Sequence, residues 1–274
     1  MTYSIVARDA QTGELGVGVQ SQAFNTGAWV PWARPGVGAI ATQSFTDRRY
    51  GYRGLELLAA GRSPQDALDE LRAVDELAHL RQVAFLDASG RTAQWTGGGC
   101  VPCAGNAAGE NWAAQGNMLA AEAWHVMGEA FEEASGSLAQ RLLAALDAAE
   151  AAGGDFRGRG GAAIVVVPAE GEPWERVTDL RVEEGDDSLV VLRRLLAHAG
   201  AYRTPGAAAA REHGLPEIEV RWRTMLDAAE TGDVAGARAA LAELEAAHPN
   251  WRDFARLVAT RPDAPQALGD IVGG

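Results

Sequence analysis

The stretch Thr2-Tyr3-Ser4-Ile5-Val6-Ala7, then Asp9-Ala10-Gln11-Thr12-Gly13-Glu14, then Leu15-Gly16-Val17-Gly18-Val19-Gln20-Ser21 decides how this chain is read. Two apolar, β-branched runs flank a turn-rich hexapeptide, which is the pattern of a β-hairpin. Its first strand carries Thr2 at the tip, directly behind Met1. Aminopeptidases remove an initiator methionine when the next side chain is small, so the mature chain is expected to begin at Thr2. A free N-terminal threonine can serve as nucleophile and base together. Its α-amine, with an ordinary pKa of about 7.7–8.0, is partly neutral near pH 7 and can accept the hydroxyl proton without a histidine.

Outward from the hairpin, Trp29 to Gly36 reads as a loop and Val37 to Thr42 as a third strand. Apolar residues at helical spacing follow over Tyr50 to Leu58, and Ser63 with Pro64 marks the start of a second helix. Arg81 to Leu86 and Arg91 to Thr96 flank Asp87-Ala88-Ser89-Gly90, a polar connection that suits a hairpin. A further strand is expected near Asn111 to Gly116, and helices over Leu119 to Ala134 and Leu138 to Ala152. Gly161 to Val167 has the β-branched content of a buried strand, with Val177 to Val182 as its partner. Leu189 to Ala197 returns to helix.

This order, with a threonine at the head of the first strand, resembles the N-terminal-nucleophile hydrolases. The blocks Ser4-Ile5-Val6-Ala7-Arg8-Asp9, Gly38-Ala39-Ile40-Ala41-Thr42-Gln43, Tyr50-Gly51 with Gly54-Leu55, Arg81-Gln82-Val83, Thr96-Gly97 and Gln115-Gly116-Asn117 look like the domain of unknown function 1028 family, over about residues 2 to 200. The resemblance implies an α+β fold, a four-layer αββα sandwich, over residues 1–204. It also implies a C-terminal segment of the peptidoglycan-binding type.

Past Thr204-Pro205-Gly206 no strand pattern appears. Short amphipathic helices read over Ala207 to His213, Glu217 to Glu230, Val234 to Ala247 and Trp251 to Val258, the middle pair like one tetratricopeptide-type hairpin. Residues 205–274 are therefore expected to form a small helical domain. One hairpin is too few to bury a repeat core by itself, so its exposed apolar faces point to docking, most simply self-association into a homo-oligomer.

Composition narrows the partners. A net charge of −13 with only 24 basic residues opposes nonspecific binding to nucleic acid or to an anionic membrane. No window reaches the length of an apolar membrane span, and Arg8 and Asp9 stand where a secretory leader would be apolar, so a cytoplasmic location is expected. Cys100-Val101-Pro102-Cys103 could be redox-active or half a zinc site. The glycines around it argue for a bend instead of the helix start that a redox motif needs, and no second ligand pair accompanies it. The pair reads as a structural loop, with no cofactor and no metal expected. Dinucleotide, phosphate-loop and serine-elbow signatures are lacking.

With Thr2 as nucleophile, Asn117 is the expected oxyanion donor, and the resemblance to proteasome-like enzymes, which place a lysine a comparable distance down the chain, implies Arg34 as the cation near the amine. Ser4 is a rival hydroxyl without an α-amine, and Ser21, Thr42 and Gln43 are expected at the strand edges nearby. Trp29, Trp32, Phe45, Tyr50 and Tyr52 gather in the loops after the second and third strands, where they either cover the edge of the sandwich or line an apolar cleft. The sequence thus points to hydrolysis of a small amide or peptide-like substrate through Thr2. The alternative is a non-catalytic binding scaffold whose helical tail recruits a partner.

Overall fold

Asp9 shapes the first turn. Its carboxylate oxygen accepts the backbone N–H groups of Gln11 and Thr12, both at 2.8 Å, and Gly13 takes the left-handed φ of 74° that closes the hairpin. The computed structural model, which describes residues 2–273, accordingly pairs β1 (Thr2–Arg8) with β2 (Leu15–Ser21), antiparallel, from Tyr3 opposite Gln20 to Arg8 opposite Leu15.

A short helix α1 (Thr26–Trp29) follows, then β3 (Pro31–Arg34) and β4 (Gly38–Ser44). Next come the helices α2 (Arg48–Ala59) and α3 (Pro64–Ala73), the latter capped by the Ser63 hydroxyl accepting the Asp66 N–H. β5 (Arg81–Asp87), β6 (Thr92–Thr96), β7 (Gly105–Gly109) and β8 (Trp112–Asn117) precede α4 (Trp124–Glu133) and α5 (Leu138–Ala151). β9 (Gly161–Val167) and β10 (Thr178–Val182) complete the strands, and α6 (Ser188–Arg203) follows. The strands form two antiparallel sheets, one of six in the order β10-β9-β2-β1-β8-β7 and one of four in the order β3-β4-β5-β6. The fold is α+β.

Strand alternation sorts the core into layers. Val6, Val17, Val19 and Val165 of the six-stranded sheet share a core with Ala39, Ala41, Ala84 and Leu86 of the other. The alternate residues of the four-stranded sheet, Ile40, Val83 and Phe85, pack under Leu55, Leu58 and Leu68 of α2 and α3. α5 lies on β1, β2 and β9, and α4 on β7 and β8.

The α2 helix approaches its sheet so closely that a Cβ at Gly54 would stand 2.6 Å from Ile40 Cδ1 and from Phe85 Cε1, both fully buried. Gly54→Ala is therefore expected to destabilise the protein by about 1–2 kcal/mol, because overpacking a core that cannot move outweighs the roughly 1 kcal/mol gain in helix propensity. The check is a lower urea midpoint at unchanged m-value.

The chain divides into two compact units, one running to Arg194 and one from Leu195 onward. The division falls inside the continuous helix α6, whereas the composition change lies at Thr204-Pro205-Gly206. The second unit holds α7 (Ala207–Glu212), α8 (Glu217–Glu230), α9 (Val234–Ala247), α10 (Trp251–Ala259) and α11 (Leu268–Gly273). Its core joins Met225, Leu241, Leu244, Leu268 and Ile271. Buried Arg223 donates to the carbonyls of Ala201 and Thr204 at the end of α6 and pairs with Glu219 at 2.8 Å, satisfying acceptors that a helix end leaves open.

Three features differ from the sequence reading. Trp29 to Gly36 is not a plain loop, because its first residue ends α1 and β3 lies within it. The helix expected from Leu119 begins only at Trp124. Gly105–Gly109, whose small residues give no strand signal, pairs with β8 as an edge strand. No helix among the described residues is long and apolar enough to cross a membrane.

Candidate functional site

At one end of the two sheets, β1 and β5 begin where β2, β4 and β8 finish. Thr2 is the first residue of β1 and lies opposite Asn117, the last of β8. The Thr2 hydroxyl donates to the Ser21 Oγ at 3.0 Å, and that oxygen also accepts the Ala23 N–H at 3.1 Å.

Beneath Thr2 runs a seam of fully buried polar side chains between the sheets. Gln43 donates from Nε2 to the Thr2 carbonyl (3.0 Å) and to Gln82 Oε1 (2.8 Å), and accepts the Ser4 hydroxyl (2.7 Å). Gln82 Oε1 accepts in addition from Asn117 Nδ2 at 2.9 Å. Gln82 Nε2 lies within reach of the Gly116 carbonyl (2.8 Å), Thr96 Oγ1 (3.0 Å) and the Gly105 carbonyl (3.1 Å). Gln115 Nε2 donates to the Ala41 carbonyl at 3.2 Å. Buried amides are tolerated only when their donors and acceptors are matched, and this seam matches nearly all of them. Through Gln43 and Gln82 it ties Thr2 and Asn117 to a common rigid support.

Above the seam opens a cavity of about 350 Å³. Thr2, Asn117 and Thr26 supply its polar floor, while Phe24, Trp29, Phe45 and Val101 form apolar walls. Arg157 is the charged residue among the described lining. It pairs with the buried carboxylate of Asp155 at 3.2 Å, and Asp155 also accepts the backbone N–H of Gln22 at 2.8 Å. Two lining residues, Ser44 (φ 68°) and Met118 (φ 57°), adopt the left-handed backbone that non-glycine residues avoid. Such strain persists where surrounding structure enforces it, and it clusters at functional sites.

The walls are held from behind. The Arg81 guanidinium donates to the Phe45 carbonyl at 2.6 Å and to Asp75 at 2.9 Å. The hydrogen bond from Arg81 holds the Asp75 carboxyl below the usual carboxylate range, against the opposing effect of burial. A group with a depressed folded-state pKa contributes stability that is present above its unfolded value, about 3.9, and lost as pH falls through the folded value. Asp75→Asn is thus expected to cost about 1.5–3 kcal/mol at pH 7. The gap from the parent protein should close as pH falls below about 4, read from urea midpoints between pH 7 and pH 2.5.

Cys100 and Cys103 are free thiols on the adjoining loop. The carbonyls of Val101 and Cys103 accept the N–H groups of Met118 and Leu119 at 3.1 and 3.2 Å, so the loop braces the segment after Asn117. Among the described residues no three His, Cys, Asp or Glu side chains are grouped to hold a metal ion.

The structure brings together Thr2, Asn117, Ser21, Ser4 and Gln43 from the sequence-predicted set, but not Arg34. Arg34 pairs with Gly38, at the start of β4, while Gln43 near its end touches Thr2. Five residues of strand separate the two, about 17 Å, because the tight β3–β4 hairpin directs Arg34 to the far end of the sheet. The cation at the cavity is Arg157 instead. Of the candidate aromatic cleft, Trp29 and Phe45 line the cavity, whereas Trp32 of β3 and Tyr50 of α2 belong to the core between the four-stranded sheet and its helices and Tyr52 is exposed. Phe24, Gln82 and Arg157 were not anticipated as site residues. Removal of Met1 lies outside the described residues.

Two antiparallel sheets with a matched polar seam and a small apolar-walled cavity at one sheet end define a mixed α+β protein in which Thr2, at the start of the first strand, lines that cavity. The chain belongs to the family described as "Family of unknown function (DUF1028)", whose profile matches residues 2–192. A crystal structure of a member of that family from Silicibacter pomeroyi is 30% identical, over 72% of this chain and 88% of that one, with a TM-score of 0.67. Anbu (ancestral beta-subunit) from Yersinia bercovieri is 10% identical over 74% of this chain and 98% of its own, with a TM-score of 0.35. An Anbu (Gly-1) mutant from Hyphomicrobium sp. strain MC1 is 12% identical over 74% and 96%, with a TM-score of 0.32. At such TM-scores neither Anbu likeness says anything of the chemistry of this chain. No curated protein matches the chain.

Proposed function

We propose that this protein is an N-terminal-nucleophile hydrolase that cleaves an amide bond through Thr2, and that its two sheets with flanking helices are the αββα sandwich of that class. The observation that carries the reading is the placement of the Thr2 hydroxyl at the head of β1, on the floor of a ligand-sized cavity and across from Asn117. Once Met1 is removed, the α-amine takes the proton from Oγ1 as that oxygen adds to the substrate carbonyl carbon. Asn117, which has a second N–H beyond the one given to Gln82, stabilises the resulting oxyanion. Collapse of the adduct breaks the C–N bond, the ammonium returns its proton to the departing amine, and an ester to Thr2 remains. Water, deprotonated by the same amine, hydrolyses that ester and regenerates the hydroxyl. In this reading Arg34 has no part in the chemistry.

The test is covalent capture. Purified protein treated with a β-lactone, whose ring opening leaves a stable ester on a hydroxyl, is expected to gain one adduct mass on a chain that begins at Thr2, mapped there by peptide mass spectrometry. A chain that retains Met1 and gains no adduct overturns the proposal in favour of a binding scaffold.

A further inference from the structure

The chemistry of the cavity walls narrows the substrate class, an inference that rests on the Thr2 reading for its catalytic meaning but not for binding. We infer that the cavity binds an apolar chain bearing a carboxylate, so that the amide presented to Thr2 is of the N-acylated amino acid class.

Three observations converge on this. The apolar wall is formed by large side chains that remain open to solvent, with Phe24 70% and Phe45 62% exposed, beside Trp29. Large exposed aromatics gathered round one concavity are the mark of a ligand surface. Second, although the chain carries a net charge of −13, the charged side chain among the described lining is a cation, Arg157, and no carboxylate is among those lining residues. Behind it, Asp155 is engaged by the backbone N–H groups of Gln22 and Arg157 as well as by the guanidinium. This holds the guanidinium in place while sharing the Asp155 charge among several donors. Arg48, outside that lining, stacks its guanidinium 4.2 Å from the ring centre of the wall residue Trp29. Third, 350 Å³ is about a dozen water-sized volumes, room for a short acyl chain with its head group. Arginine suits the carboxylate because its planar fork can meet both oxygens.

Octanoate, octan-1-ol and octylamine share one chain, differ in head-group charge and contain no amide, so they report binding without turnover. Titrated calorimetrically into the full-length protein, octanoate is expected to bind about tenfold or more tighter than octan-1-ol, and octylamine more weakly than either. Arg157→Gln should abolish the octanoate preference while leaving octan-1-ol unchanged, and Phe45→Ala should weaken both. Equal affinity for the three, a preference for the amine, or no binding of octanoate overturns the inference, and the comparison on unmutated protein decides it even if the Arg157 variant fails to fold. Because Thr2→Ala leaves the walls intact, octanoate selectivity in that variant separates the two proposals. Selective binding without a β-lactone adduct on the parent protein keeps the ligand class and removes the nucleophile, whereas an adduct without selectivity does the reverse.

Discussion

Thr2→Ala is expected to abolish β-lactone labelling and to lower turnover of any amide substrate by on the order of 10⁴-fold or more, while Thr2→Ser retains a measurable fraction of both. The variant keeps the α-amine, the polar seam and the cavity, and alanine is small enough for Met1 to be removed as before. What it loses is the attacking oxygen. The hydrogen bond of that oxygen to Ser21 is worth about 1 kcal/mol, so the thermal midpoint should move by a few degrees. Ser4 cannot substitute, because it is fully buried and donates to Gln43. A Thr2→Ala protein with undiminished turnover would place the chemistry elsewhere.

The placement of that oxygen was legible in sequence because the elements that fix it are local. The first hairpin is written in Asp9 and Gly13, the buried β9 strand in Gly161 to Val167, and the start of α3 in Ser63 with Pro64. What was not legible depends on which strands become neighbours. Arg34 was expected at the amine by resemblance alone, yet its position is set by the tight turn that returns β4 antiparallel, and that turn sends it to the far end. Arg157 stood in the run Gly153-Gly154-Asp155-Phe156-Arg157-Gly158, where an ion pair inside a glycine-rich approach to a buried strand was the available signal. The seam had a signal as well. Gln43, Gln82 and Gln115 each interrupt a run otherwise fit for a core strand, and a buried amide in such a run implies a partner on another strand. Which partner it takes is decided only by the pairing of the sheets.

Gln82 is the node where that pairing becomes energy, and Gln82→Leu is expected to have the largest effect on stability of any change at the site. Leucine is close in volume, so packing is nearly kept while every polar contact is lost. Gln43 Nε2 and Asn117 Nδ2 lose their shared acceptor and the Gly116 carbonyl loses a donor in a buried region, while the Gly105 carbonyl, which loses the same donor, is only partly buried. Each stranded group costs about 1–3 kcal/mol. Partial relaxation limits the sum, giving an expected loss of about 3–5 kcal/mol, read as a lower urea midpoint. Asn117→Leu removes one of the same bonds from the other side. In a double-mutant cycle the two changes should therefore lose less together than separately, with a coupling of about 1–2 kcal/mol. Additive losses would mean that Gln82 does not hold Asn117. Because Asn117 reaches the cavity from this node, the surviving fraction of folded Gln82→Leu protein should also label more slowly with the β-lactone, while its octanoate selectivity, set by Arg157 and the aromatic walls, stays as it was.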